Sequence, residues 1–306
     1  MDPARSAGGP DRAADAMLLA CVVLWSINFT AVAYGLQRFA PLAFTALRFV
    51  GAAVVLLAFL RVRDGGLRLT RRELVPAALL AFVGIFLNQV LSTYAIREGG
   101  AALLAMLMSL SPVFAAGLTV ALGQERPAWT HWAGLGVAAS GALLVVGGAA
   151  SGAGRDPMLG GLLGVLAALT WAAYSVYARP LMARTDAVRL SALVIGAGAL
   201  MLLPVSAPQL MAQDWSAPGP GRWAALAFAL VFALLVTNVL WFEGVRRVGA
   251  ARATMLLYLQ PFGGALVALV LLGEPVGPAE WAGGAVILAG VVLSRARLPR
   301  SAPSPA

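Results

Sequence analysis

The chain has 306 residues, of which 60% are hydrophobic and only 11% charged, and its mean hydropathy is +0.85. Soluble domains carry about 25% charged residues, so this composition excludes a water-soluble globular protein and points to a chain embedded among lipid tails. The net charge of +9 arises from 22 arginines against 13 acids, with no lysine anywhere.

Residues 1–15 read as a short cytoplasmic tail, because Asp2, Asp11 and Asp15 stand where a secretory signal would carry a basic flank and a small-residue cleavage site. Five apolar stretches follow at 17–34, 41–60, 74–96, 101–122 and 129–146. A polar, Gly-rich linker at 149–157 precedes five more, at 158–177, 190–210, 223–242, 250–272 and 278–293. Each suits a crossing of about 30 Å of hydrocarbon; the fifth and tenth are the shortest. Residues 295–306 form a second tail. The expected fold class is an all-α polytopic membrane protein with ten transmembrane helices. Cys21, the one cysteine, lies inside the first stretch, which rules out a disulfide framework or thiolate metal site and leaves packing as its role.

Arginine placement orients the chain. With the N-terminus inside, 17 arginines fall on the cytoplasmic side and four outside, at Arg38, Arg97, Arg155 and Arg222; Arg48 lies within the second stretch. That bias puts both termini in the cytoplasm. It also accounts for the positive charge without nucleic acid.

The chain contains itself twice. Gly100-Ala101-Ala102, Met106-Leu107, Leu110, Pro112, Glu125, Trp132-Ala133-Gly134 and Gly141 recur 149 positions later as Gly249-Ala250-Ala251, Met255-Leu256, Leu259, Pro261, Glu274, Trp281-Ala282-Gly283 and Gly290. From Tyr94 to Leu144, 17 of 51 positions match without a gap, against roughly a tenth by chance in so Ala- and Leu-rich a chain. Trp25 and Trp171 correspond more weakly, 146 apart. The repeats span 16–148 and 158–294. Five helices per repeat is an odd number, so the second repeat enters the membrane upside down, giving inverted repeats about an axis in the membrane plane.

Within this frame, polar and aromatic residues gather at similar depth on six helices. They are Trp25, Ser26 and Asn28 on the first; Asn88, Gln89 and Ser92 on the third; Ser109 and Ser111 on the fourth; Trp171, Tyr174 and Ser175 on the sixth; Asn238 and Trp241 on the eighth; and Thr254, Tyr258 and Gln260 on the ninth. An unpartnered buried carboxamide costs on the order of 2 to 7 kcal/mol. Asn28, Asn88, Asn238 and Gln260 therefore face either a central aqueous cavity or hydrogen-bonding partners on other helices. Pro112 and Pro261 each remove a backbone donor near mid-span, leaving the carbonyls of Met108 and Leu257 without their helical partners; they are read as hinge or gating points, or as plain packing kinks.

Arg48 is the one plainly intramembrane charge, roughly 10 to 12 Å from the external end by helix rise, either functional or structural, snorkelling to the outer interface or bonding to a helix carbonyl. Glu243 is expected to pair with Arg246 or Arg247, and Glu125 and Glu274 to cap or orient the loops before the fifth and tenth helices. Gly134 with Gly141, and Gly283 with Gly290, form small-residue seams for helix contact within the protomer or in a dimer.

The run Ala95-Ile96-Arg97, Gly100-Ala101-Ala102, Leu110-Ser111-Pro112, Glu125, Trp132-Ala133-Gly134, with its repeat through Pro261, Glu274 and Trp281-Ala282-Gly283-Gly284, resembles the EamA family of the drug/metabolite transporter superfamily. Trp25 and the pair Pro41 and Arg48 fit the same pattern, and the likeness covers nearly the whole chain. It implies ten helices as inverted five-helix repeats around a cavity bounded by helices 1, 3, 4, 6, 8 and 9. It also implies secondary transport, often export, of amino acids or other small metabolites across the cytoplasmic membrane, with no cofactor and no enzymatic activity. The first helix lacks the embedded glutamate of the small multidrug branch, which argues against proton-driven export of lipophilic cations. Multidrug export and a receptor or scaffold role remain the alternatives. An intramembrane enzyme finds little support, since His131 is the sole histidine and lies in a loop-proximal turn. The expected partners are a small-molecule substrate and the bilayer, in a monomer or homodimer.

Overall fold

The structure, a computed structural model, describes residues 11–66, 71–123, 129–149, 155–182, 185–248 and 256–295. Glu125, Thr254, Met255, the Gly249-Ala250-Ala251 block, most of the linker, the outer parts of both tails and the side chain of His131 lie outside the described residues.

An apolar chain in lipid must satisfy its backbone internally, and helices are how a single segment does so. The described residues form ten apolar helices and no strand: α1 (Arg12–Leu36), α2 (Pro41–Asp64), α3 (Leu74–Gly99), α4 (Ala101–Ala121), α5 (Trp132–Ala149), α6 (Pro157–Met182), α7 (Val188–Ala212), α8 (Gly219–Val245), α9 (Leu257–Leu272) and α10 (Pro278–Ser294). The first eight are long and apolar enough to cross a membrane, while α9, as described from Leu257, and α10 are shorter. The expected short fifth helix is thus long enough to span. Local chemistry sets the ends. The Asp11 carboxylate accepts from the amide of Ala14 at α1, Pro41 opens α2, and Gly65 closes it at φ 74°, a left-handed conformation that glycine adopts without strain.

The duplication is written in the backbone as well as in side chains. A π-helical turn occupies Phe82–Leu87 in α3, and another, 149 residues on, occupies Val231–Val236 in α8. A 3₁₀ turn at Met108–Leu110 in α4 recurs at Leu257–Leu259 in α9, again 149 apart. The π turns lie outside the stretch whose side chains match, so the structural likeness of the two halves reaches further back than the sequence likeness.

The prolines act differently from the expectation of stranded carbonyls. The Met108 carbonyl accepts both the Ser111 amide and the Ser111 hydroxyl, at 2.7 Å, while the Leu257 carbonyl accepts the Gln260 amide. Each helix tightens by one residue just before its proline, and the i+3 amide replaces the missing i+4 donor. Pro112 and Pro261 therefore mark junctions between helical segments rather than open carbonyls.

Packing crosses between the halves. The most extensive helix contacts are α5 with α10, α2 with α7, α3 with α6, α1 with α8 and α9, and α4 with α6 and α9. Exchanging the first five helices for the last five maps this set onto itself. The glycine seam is spent inside the chain: a Cβ on Gly141 would lie 2.7 Å from the carbonyl of Gly283, and one on Gly290 would lie 2.6 Å from that of Gly134. These glycines bring α5 and α10 into backbone contact. Large apolar side chains such as Val54, Val62, Leu143, Leu200 and Val270 remain exposed on the outside of the bundle, as a surface solvated by lipid requires.

Candidate functional site

A continuous polar chain runs through the interior from α1 to α6. The Arg48 guanidinium, only 4% exposed, donates from one terminal nitrogen to Gln89 Oε1 at 2.5 Å and from the other to Asn28 Oδ1 at 3.5 Å. Gln89 donates in turn to Asn88 Oδ1 at 3.1 Å. The Asn88 amide donates to the Ala167 carbonyl at 2.8 Å and to Thr170 Oγ1 at 3.1 Å. Arg48 also lies over the Phe49 ring, 5.0 Å from its centroid. Of the structural expectations for this residue, neither snorkelling to the interface nor a bond to a helix carbonyl is what the structure has among the described residues. The charge stays in the interior and is held by side-chain oxygens of α1 and α3.

Aromatic pairs sit where the π turns are. In α8 the Ala233 carbonyl accepts the Trp25 indole N–H at 3.2 Å and the Thr237 hydroxyl at 2.8 Å. Trp25 packs on Trp241 with centroids 5.4 Å apart. In α3 the Tyr174 ring lies so close to Gly84 that a Cβ there would stand 2.1 Å from it, and Tyr174 packs on Trp171 at 5.4 Å. Gly84 and Ala233 are again 149 apart. A widened turn in each half thus receives an aromatic side chain from the first helix of the other half, and the residue that matches Trp25 is Tyr174, at the common offset of 149, rather than Trp171 at 146.

The remaining expected residues divide. Ser26, one residue from Trp25, donates to the Gln260 carbonyl at 3.3 Å, joining α1 to α9. The Gln260 side-chain amide is half-buried and makes no hydrogen bond to another described residue. The Ser109 hydroxyl donates to the Met106 carbonyl, so both Ser109 and Ser111 satisfy their own helix. Tyr258 is partly buried against the core formed by α4, α5, α9 and α10. Asn238 donates to the Leu234 carbonyl and accepts from Ser191 on α7 at 3.3 Å, a helix outside the expected set. Cys21 is buried, with its sulfur 3.6 Å from the Thr237 carbonyl, in keeping with packing.

Other groups take roles the sequence does not suggest. Glu274 reaches across to the other half, its two oxygens accepting from the amides of Ala101 at 3.2 Å and Ala102 at 3.0 Å. It caps α4 rather than the loop before α10. A carboxylate there satisfies two orphan donors and meets the positive end of the helix. Gln209 and Gln213 at the end of α7 accept from the amides of Leu42 and Ala40 at 2.8 and 2.7 Å, capping α2. At the same end of the bundle, Arg222 lies over the Tyr34 ring at 4.8 Å and donates to Gln37 at 3.0 Å, while Phe39 meets Trp223 edge-on at 5.0 Å. Glu243 pairs with Arg247 at 2.6 Å, as expected. A groove of about 400 Å³ among α2, α3 and α7 is lined by apolar residues such as Val54, Leu57, Leu74 and Leu200. It contains none of the expected site residues.

A bundle of apolar helices with an apolar exterior and polar, aromatic groups in its interior defines a multi-pass membrane protein. The chain belongs to the EamA-like transporter family, whose profile matches residues 12–147 and again 158–296, once in each half. It is 30% identical over 286 residues, 92% of each chain, to a probable terminal-alkyne amino-acid exporter of Streptantibioticus cattleyicolor. It is 26% identical to a probable amino-acid metabolite efflux pump of Salmonella typhimurium, covering 91% of this chain and 93% of that one. An uncharacterized inner membrane transporter of Escherichia coli K12, YedA, is 24% identical, with 90% and 88% covered. A crystal structure with 22% sequence identity superposes with a TM-score of 0.63 over 92% of this chain and 95% of that chain, which speaks for the fold alone.

Proposed function

We propose that this protein is a secondary transporter of the cytoplasmic membrane that exports a small metabolite such as an amino acid by alternating access. The observation that carries the reading is the exchange symmetry of helix contacts around a polar, aromatic centre, joined by the names of the two exporters it resembles. Two five-helix repeats of opposite orientation, with both termini cytoplasmic as the arginines favour, are the form in which such symmetry produces alternating access.

Substrate would be held by the aromatic walls Trp25, Trp171, Tyr174, Trp241 and Tyr258 and by the polar groups of Asn28, Asn88, Ser109, Ser111, Asn238 and Gln260. Gln260 is the strongest of these, because its carboxamide has no competing partner among the described residues. The 3₁₀ junctions before Pro112 and Pro261 would be the points at which α4 and α9 bend. The contact of Glu274 with Ala101 and Ala102 would latch the external side.

Reconstitution into liposomes and counterflow of labelled amino acids at two pH values tests the reading. Substrate-dependent counterflow is expected, with little change between the two pH values, since no carboxylate stands near the centre of the described spans. Absence of flux for every amino acid would refute amino-acid export. Efflux of cationic dyes in its place would establish the multidrug alternative, to which the two aromatic pairs lend some support.

A further inference from the structure

Arg48 is a cation without a counterion. It is 4% exposed and takes part in none of the ion pairs among the described residues. A guanidinium presents five N–H donors. Here one makes a short bond to Gln89, one reaches Asn28 at the 3.5 Å limit of a hydrogen bond, and the Nε is buried with no partner at all. Both acceptors are neutral amide oxygens, which satisfy geometry but leave the charge uncompensated. A buried ion costs several kcal/mol unless an opposite charge meets it, and an arginine within a membrane span is among the more expensive cases.

We infer that Arg48 is an anion subsite that receives the carboxylate of the transported molecule, its unfilled donors supplying the charge-assisted bonds. This rests on the transporter reading and narrows it to carboxylate-bearing substrates. The surrounding geometry favours a carboxylate with an apolar remainder. Asn28 lies three residues beyond Trp25 and so on the same face of α1, placing the Trp25 and Trp241 pair one turn from the guanidinium. A planar carboxylate suits the guanidinium fork in a way that a neutral amide or an amine does not. The amide oxygens of Asn28 and Gln89 then act as placeholders that steady the fork when the site is empty.

The test uses the full-length protein in liposomes and measures inhibition of counterflow by L-leucine, L-methionine and L-phenylalanine against the corresponding amino-acid amides. Wild type is expected to prefer each acid over its amide by tenfold or more. Arg48→Gln is expected to abolish that preference, and Arg48→Lys to retain part of it. Equal inhibition by acids and amides in the wild type overturns the proposal while leaving the transporter reading intact, as does an Arg48→Gln variant that still discriminates. Absence of counterflow with any compound overturns both. Should Arg48→Gln fail to fold, the wild-type ratio decides alone, checked by whether the acids, but not the amides, raise the melting temperature of the purified protein.

Discussion

Replacing Gly290 by alanine should loosen the tightest helix pair in the molecule. A Cβ at Gly290 would stand 2.5 Å from the Ala138 amide nitrogen and 2.6 Å from the Gly134 carbonyl oxygen. Both are backbone atoms of α5 that no side-chain rotation can move aside. Restoring ordinary contact at 3.4 Å or more requires α5 and α10 to part by roughly 1 Å, and a gap of that size forfeits a quarter to a half of each dispersion well. With on the order of 40 facing atom pairs at about 0.15 kcal/mol each, the loss is about 1.5 to 3 kcal/mol. The better helix propensity of alanine returns about 1 kcal/mol, leaving a net destabilisation of about 0.5 to 2 kcal/mol. Thermal unfolding of the purified protein in detergent, followed by tryptophan fluorescence, reads this directly. The controls lie on the same helix as Gly134: a Cβ on Gly136 or Gly147 meets nothing within 4 Å, so Gly136→Ala and Gly147→Ala should be neutral or mildly stabilising. Gly134→Ala added to Gly290→Ala should cost less than the sum, because the helices have already separated at that point. Equal melting temperatures for Gly290→Ala and Gly136→Ala would refute the seam.

Glu274→Ala should destabilise the protein by about 2 to 3 kcal/mol, since it strands two buried amides that now bond a carboxylate; Glu274→Gln should lose about half as much, and an unchanged melting temperature for the alanine variant would remove the cap. Gln260→Leu should abolish counterflow with unchanged expression and melting temperature. Asn88→Leu should abolish it and also lower the melting temperature, because it breaks the bonds to Ala167 and Thr170; wild-type flux in either folded variant would count against its place in the site. The carboxyl of Asp186 is held below the usual carboxylate range, chiefly by the hydrogen bond from Arg63. Its contribution is therefore present above the ordinary value of about 4 and lost as pH falls through the lowered one. Because the pair is solvent-exposed, the melting-temperature gap between wild type and Asp186→Asn should be small at pH 7 and close in acid, and a gap that widened in acid would reverse the sign of this reasoning.

Span positions, the duplication and the glycine seam are legible in the sequence because each follows from a one-dimensional pattern: apolar length, a fixed offset and small residues seven apart. The π turns are not, since Phe82–Leu87 contains no proline and reads as uninterrupted helix. Its widening becomes understandable only with Tyr174 of another helix seated on Gly84. Glu274 and Gln213 escape for a similar reason. Their side chains point to a capping role, but the helices they cap begin 173 residues earlier, at Ala101 and Ala40, and no local pattern specifies a partner at that distance. The candidate site is legible as a set of helices and less so as a set of residues. Asn238 and Ser109 have the right type and depth, yet their hydrogen bonds are already occupied by protein, whereas Arg48 stands out in the sequence as a lone intramembrane charge but its link to Gln89 and Asn28 does not.

Backbone irregularity and regularity are distributed in a way that bears on how the bundle moves. The π and 3₁₀ turns fall on α3, α4, α8 and α9, and these helices pack mainly on α1 and α6 of the opposite half or, for α4 and α9, on each other. The packed pairs α5 with α10 and α2 with α7 contain none of them. Non-α backbone in a membrane is tolerated only where protein covers the displaced groups, and here the cover comes from the other half of the chain: Trp25 on Ala233, Tyr174 on Gly84. Those contacts hold only in one relative position of the halves, whereas a backbone-tight glycine seam resists sliding in any. Relative motion of the halves should therefore concentrate at the irregular turns, with the α5 and α10 seam as a fixed edge. Arg48 is placed to respond to it, because it extends from α2, which has no irregular turn, into the irregular centre and holds Asn28 of α1 and Gln89 of α3 on the same guanidinium.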